Sequence, residues 1–85
     1  EQGNPKAQFQ LAICYANGIG IEKNIAKAVH FFKLSAEQGN MNAQYNLAIY
    51  YEVGIGIERD LAKAIHFYKL SAEQGNMNAQ YNLAI

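Results

Sequence analysis

With 85 residues, 51% of them hydrophobic and only 16% charged, the chain is suited to one small folded domain and not to disorder. Seven acidic and seven basic side chains balance to zero, so no cationic surplus exists to neutralise a phosphate backbone or hold an anionic membrane. The single cysteine, Cys14, rules out an internal disulfide and a cysteine-based metal site, and reads as a small hydrophobe within a helix.

No apolar run approaches the ~20 residues that a membrane-spanning helix requires. The chain opens on Glu rather than Met and reads as a piece of a longer protein, so the lack of a leader says nothing of compartment.

Displaced by 36 residues, the sequence falls onto itself. The run from Glu1, EQGNPKAQFQLAICYANGIGIEKNIAKAVHFFKLSA, meets EQGNMNAQYNLAIYYEVGIGIERDLAKAIHFYKLSA from Glu37. The last stretch, EQGNMNAQYNLAI from Glu73, then begins the pattern again. The chain therefore divides into units 1–36 and 37–72 with a partial unit 73–85, and a fixed period of this size marks a stacked repeat array.

In chain order, Asn4 is the predicted N-cap of a helix over about 5–17, with Pro5 at its first position, where the missing N–H costs nothing. Gly18 closes it, because glycine enters the left-handed conformation freely. After a G-I-G-I loop, Asn24 caps a second helix over about 25–38, ended by Gly39. Asn40 starts a third over about 41–53, ended by Gly54, with Ile55 expected to fold back on Tyr50. Asp60 caps a fourth over about 61–74, and Gly75 with Asn76 leads into a fifth over about 77–85.

Helices this short are marginal in isolation, and their short connections make them antiparallel neighbours. On the third, Ala43, Leu47, Ala48 and Tyr51 recur at helical spacing as a packing face. On the fourth, Leu61, Ala64, Ile65, Tyr68 and Ala72 do the same, while Lys63, His66, Lys69 and Glu73 make a stripe expected to face solvent.

The unit, with Leu47 and Ala48 before Tyr51, G-I-G-I from Gly54, Lys63–Ala64 before aromatics, and S-A-E-Q-G ending at Gly75, resembles a Sel1-like repeat. These repeats are relatives of the tetratricopeptide repeat. Leu11, Tyr15, Gly18, Gly20, Asn24, Lys27, Ala28, Phe32, Ala36 and Gly39 carry the likeness in the first unit. The chain departs from the pattern where alanine (Ala12, Ala48, Ala84) replaces a glycine after the first-helix leucine, and where Phe31 and Phe67 stand for a frequent tryptophan. The resemblance implies an all-α, right-handed superhelix of antiparallel helix pairs, with first helices lining a concave face, and a scaffold or adaptor role. A secreted branch of such proteins pins each unit with a disulfide, and one cysteine places this chain outside it.

By the same resemblance, the outward positions of the first helices form a groove for a protein or peptide: Lys6, Phe9 and Ile13, then Asn42, Tyr45, Ile49 and Glu52, then Asn78, Tyr81 and Ile85. Aromatics bring large contact area with few rotors, and asparagines can pair with an extended backbone. The competing reading is that these side chains only pack neighbouring first helices together; complete burial of Tyr45 would decide for it.

No enzyme is expected. His30 and His66 are the only histidines and supply two ligands where zinc takes three or four, so no metal or other cofactor is implied. The G-I-G segments lack the preceding strand and third glycine of a dinucleotide loop. Ser35 and Ser71 have no histidine and acid arranged around them. A structural spacer, an array that associates end to end, or a non-catalytic part of an enzyme are the alternatives to a binding scaffold.

Overall fold

A computed structural model describes residues 3–79, and among them there are only helices, turns and loops. Four helices of 13 residues follow one another: α1 (Pro5–Asn17), α2 (Ile25–Glu37), α3 (Met41–Val53) and α4 (Leu61–Glu73). Helical backbone resumes at Met77, where the fifth predicted helix begins; its course past Ala79 lies outside the described residues. Among the described residues, no helix is long and apolar enough to cross a membrane.

Each helix starts where a short polar side chain can stand in for the missing carbonyls. Asn4 Oδ1 accepts from the Lys6 and Ala7 N–H groups, Asn24 from Lys27, Asn40 from Ala43 and Asp60 from Lys63, at 2.8–3.1 Å. α1 and α3 end at Gly18 and Gly54, both left-handed at φ 70° and 85°. The N–H groups of Gly54 and Ile55 converge on the Tyr50 carbonyl at 2.7 and 3.1 Å. α2 and α4 stop one residue earlier than their predicted ends, with Gln38 and Gln74 as C-caps and Gly39 and Gly75 following.

α1 packs along α2 and α3 along α4, and the two pairs are joined by α2 packing along α3. Alanines permit the close approach: Ala12, Ala28, Ala43 and Ala48 have no exposed surface, and Phe32 and Leu47 fill the centre between them. Burial of side chains of that size stabilises the fold by about 1.5–3 kcal/mol each. The expected third-helix face, Ala43, Leu47, Ala48 and Tyr51, is buried throughout.

The fourth-helix face is only partly so. Ala64 and Tyr68 are buried, but Leu61 and Ile65 stay 47% and 48% exposed, against the sequence expectation. Their counterparts Ile25 and Val29 explain the difference. The loop of the second unit lies across them, so close that a Cβ on Gly56 would stand 2.4 Å from Ile25 Cγ2, and Val29 falls to 6% exposure. Leu61 and Ile65 have no such loop over them among the described residues. The stripe of Lys63, His66, Lys69 and Glu73 is exposed as expected.

Candidate functional site

The outward face of the first helices combines three kinds of position. Lys6, Asn42, Glu52 and Asn78 are exposed; Phe9, Ile13, Tyr45 and Ile49 are half-buried and packed against the core by one edge. Tyr81 and Ile85 lie outside the described residues. Tyr45 is thus not completely buried.

Its packing edge is specific. The Tyr45 ring meets Tyr68 of α4 at 5.9 Å in an edge-on contact, and Phe9 meets Phe32 of α2 at 6.0 Å. Phe9 and Tyr45 therefore each rest on an aromatic of the second helix in their own unit, a ring contact that favours particular orientations of the pair. Between units, Phe32 also receives Tyr50 at 5.2 Å. Partial burial raises the Tyr50 phenol above the ordinary tyrosine value, because the phenolate is the form that loses hydration.

At the far end of this face, the Tyr68 hydroxyl donates to Glu52 Oε1 at 2.7 Å. Sequence reading placed Glu52 and Tyr68 on different faces of different helices and saw no link between them. The signal was present as a paired difference: the first unit has Ala16 and Phe32 at the same two places.

Buried glutamines were also missed. Gln8 and Gln44 are only 4% and 3% exposed, although the type is usually found at the surface. Gln44 Nε2 donates to the Ala36 carbonyl of the preceding unit at 3.1 Å, and Gln44 Oε1 accepts from Gln74 Nε2 at 2.8 Å. One amide thereby ties α2, α3 and α4 together. Gln38 Nε2 similarly donates to Gln8 Oε1 at 2.6 Å, and the Ser35 and Ser71 hydroxyls are used up on the Pro5 and Met41 carbonyls. Those serines are structural ties.

A second concavity recurs at the loop edge. Clefts of about 360 and 330 Å³ sit beside Tyr15 and Tyr51, the second also touched by Lys33 of the preceding unit. Their tyrosines are stacked on Phe31 and Phe67 at 5.9 and 6.0 Å, with Lys27 and Lys63 5.5 Å from the ring centres. The sandwich repeats in both units and shapes the loop edge. His30 and His66 are exposed, each with its ring edge-on to the next phenylalanine. Among the described residues, no group of three or more His, Cys, Asp or Glu side chains could share a metal ion.

The chain is similar to known helical repeat proteins over nearly all its length. A Sel1 repeat protein from Oxalobacter formigenes is 38% identical and superposes with a TM-score of 0.91 over 95% of this chain. The protein c5321, a protective antigen present in uropathogenic Escherichia coli strains and displaying an SLR fold, is 37% identical with a TM-score of 0.91 over the same share. Helicobacter pylori cysteine rich protein B shares the fold, at 17% identity and a TM-score of 0.84 over 88% of the chain. The chain spans 33%, 17% and 56% of those three proteins respectively. No curated protein matches. The Sel1 repeat model matches twice, at residues 5–40 and 42–76, and by that match the chain belongs to the Sel1 repeat family.

Proposed function

We propose that the chain is an interaction module that holds a segment of another protein on the face carrying Lys6, Phe9, Ile13, Asn42, Tyr45, Ile49 and Glu52, continued by Asn78 and Tyr81. Sel1 repeats are in general protein-interaction modules and non-catalytic scaffolds. The observation that carries the reading is the half-buried state of Phe9 and Tyr45: each ring is held from beneath by Phe32 or Tyr68, leaving an oriented aromatic edge at the surface. Rigid aromatic surface of this kind brings contact area with little entropy to lose, and anchors of this type dominate protein interfaces.

Selection from a random-peptide display library tests it. Peptides recovered on the wild-type chain should lose binding to a Tyr45→Ala variant by at least about tenfold, the weight of a modest interface anchor. Recovered peptides that bind Tyr45→Ala equally well would remove the face from consideration. A library that yields no binder at all would favour a spacer. A second reading is end-to-end association of the isolated chain through Leu61 and Ile65, which are exposed where the equivalent Ile25 and Val29 lie under the loop of the following unit. A constant monomer mass by light scattering up to high concentration would end that idea.

A further inference from the structure

We propose that the segment held on this face carries a lysine or arginine side chain, and that Glu52, oriented by Tyr68, receives it. The inference rests on the binding face described above and adds the chemistry of its occupant.

Glu52 lies two turns beyond Tyr45 and one beyond Ile49, so all three project on the same side of α3. A glutamate on a solvated helix normally samples many rotamers, and fixing it costs entropy. Here one carboxylate oxygen is engaged by the hydroxyl of Tyr68, itself 6% exposed and packed under Tyr45. Glu52 is otherwise exposed, and among the described residues no hydrogen bond is made to its second oxygen.

The local cations do not neutralise it. Arg59 donates through Nε to the backbone carbonyl of Glu52 at 2.9 Å, and no ion pair joins the carboxylate to Arg59 or to another described cation. The first unit has neither partner of the bond, since Ala16 and Phe32 occupy those places, while most aligned differences between the units are conservative. A hydroxyl and a carboxylate introduced together distinguish the second unit and give the face one oriented negative charge. An oriented, unpaired carboxylate next to an aromatic surface fits an ammonium or guanidinium group whose aliphatic stem lies along the ring.

The same peptide display decides the point, run on the wild-type chain, Glu52→Gln, Tyr68→Phe and Tyr45→Ala, each checked for helicity by circular dichroism. Glu52→Gln can still accept the Tyr68 hydroxyl, and Tyr68→Phe restores the ring found in the first unit, so both variants keep the packing. Peptides selected on the wild type should be enriched in Lys and Arg, and binding should weaken about fivefold on Glu52→Gln, the upper range for an exposed ion pair. Tyr68→Phe should weaken the same peptides by a smaller factor, with higher salt narrowing both differences. Binders without cationic enrichment, or with equal affinity for Glu52→Gln, would overturn the inference while leaving the binding face intact. Binders indifferent to Tyr45→Ala, or no binders, would remove the face and this inference with it.

Discussion

Gly20 and Gly56 offer a way to weigh the contact between successive repeats. Both sit in an Ile-Gly-Ile context and both are left-handed, at φ 70° and 64°. They differ in surroundings: a Cβ on Gly20 meets nothing within 4 Å, whereas one on Gly56 would lie 2.4 Å from Ile25 Cγ2 and 3.4 Å from Val29 Cγ2. Gly20→Ala therefore carries only the backbone penalty, about 1–2 kcal/mol, eased by the lower entropy of the unfolded chain. Gly56→Ala carries the same plus overpacking, about 1–3 kcal/mol more. Ile25 cannot simply swing its methyl aside, because Cγ2 stands on a β-branched carbon with one strongly preferred rotamer in a helix. Urea melts followed by circular dichroism should separate the two, with the midpoint for Gly56→Ala lower by about 1–3 M at an m-value near 1 kcal/mol/M. Adding Ile25→Ala to Gly56→Ala should cost less than the sum of the separate changes. Equal midpoints for the two glycine variants would refute the claim that this loop is seated on α2.

The buried amide bridge makes a smaller prediction. Gln44→Met preserves volume but removes both hydrogen bonds; the Ala36 carbonyl keeps the Gly39 N–H at 3.0 Å, so the cost should fall at about 1–2 kcal/mol, measured by the same melts. Tyr50 gives a pH dependence. Its folded-state value lies above the unfolded one, so its contribution to stability is complete below pH ~10 and is lost as pH rises through the folded value. A Tyr50→Phe variant should show a flatter decline of melting temperature above pH ~10, and an unchanged slope would contradict the burial effect.

The helix ends were legible in the sequence because caps are local. Asn4, Asn24, Asn40 and Asp60 each need only their own next turn to act, and Gly18 and Gly54 only their own backbone freedom. What depended on a neighbour was not legible. Val29 and Ile65 occupy equivalent positions in near-identical helices, yet one is buried and the other half-exposed, because exposure here belongs to the loop of the following unit. Gln44 is not singled out by the sequence, because hydrophobic patterning passes over polar residues, and the carbonyl that satisfies it comes from another helix. At the candidate site, helical spacing together with the family resemblance gathered Tyr45, Ile49 and Glu52 on one side of α3. The hydroxyl that orients Glu52 comes from α4, sixteen residues away, and only the packed pair brings it there.

Asn40 has two duties within one residue. Its backbone N–H closes α2 on the Ser35 carbonyl at 3.2 Å, while its side chain opens α3 through the Ala43 N–H at 2.9 Å. Asn76 repeats the arrangement on Ser71 and Ala79. The join between units is therefore a single residue, and the end of one helix and the start of the next cannot turn apart without giving up one of these hydrogen bonds.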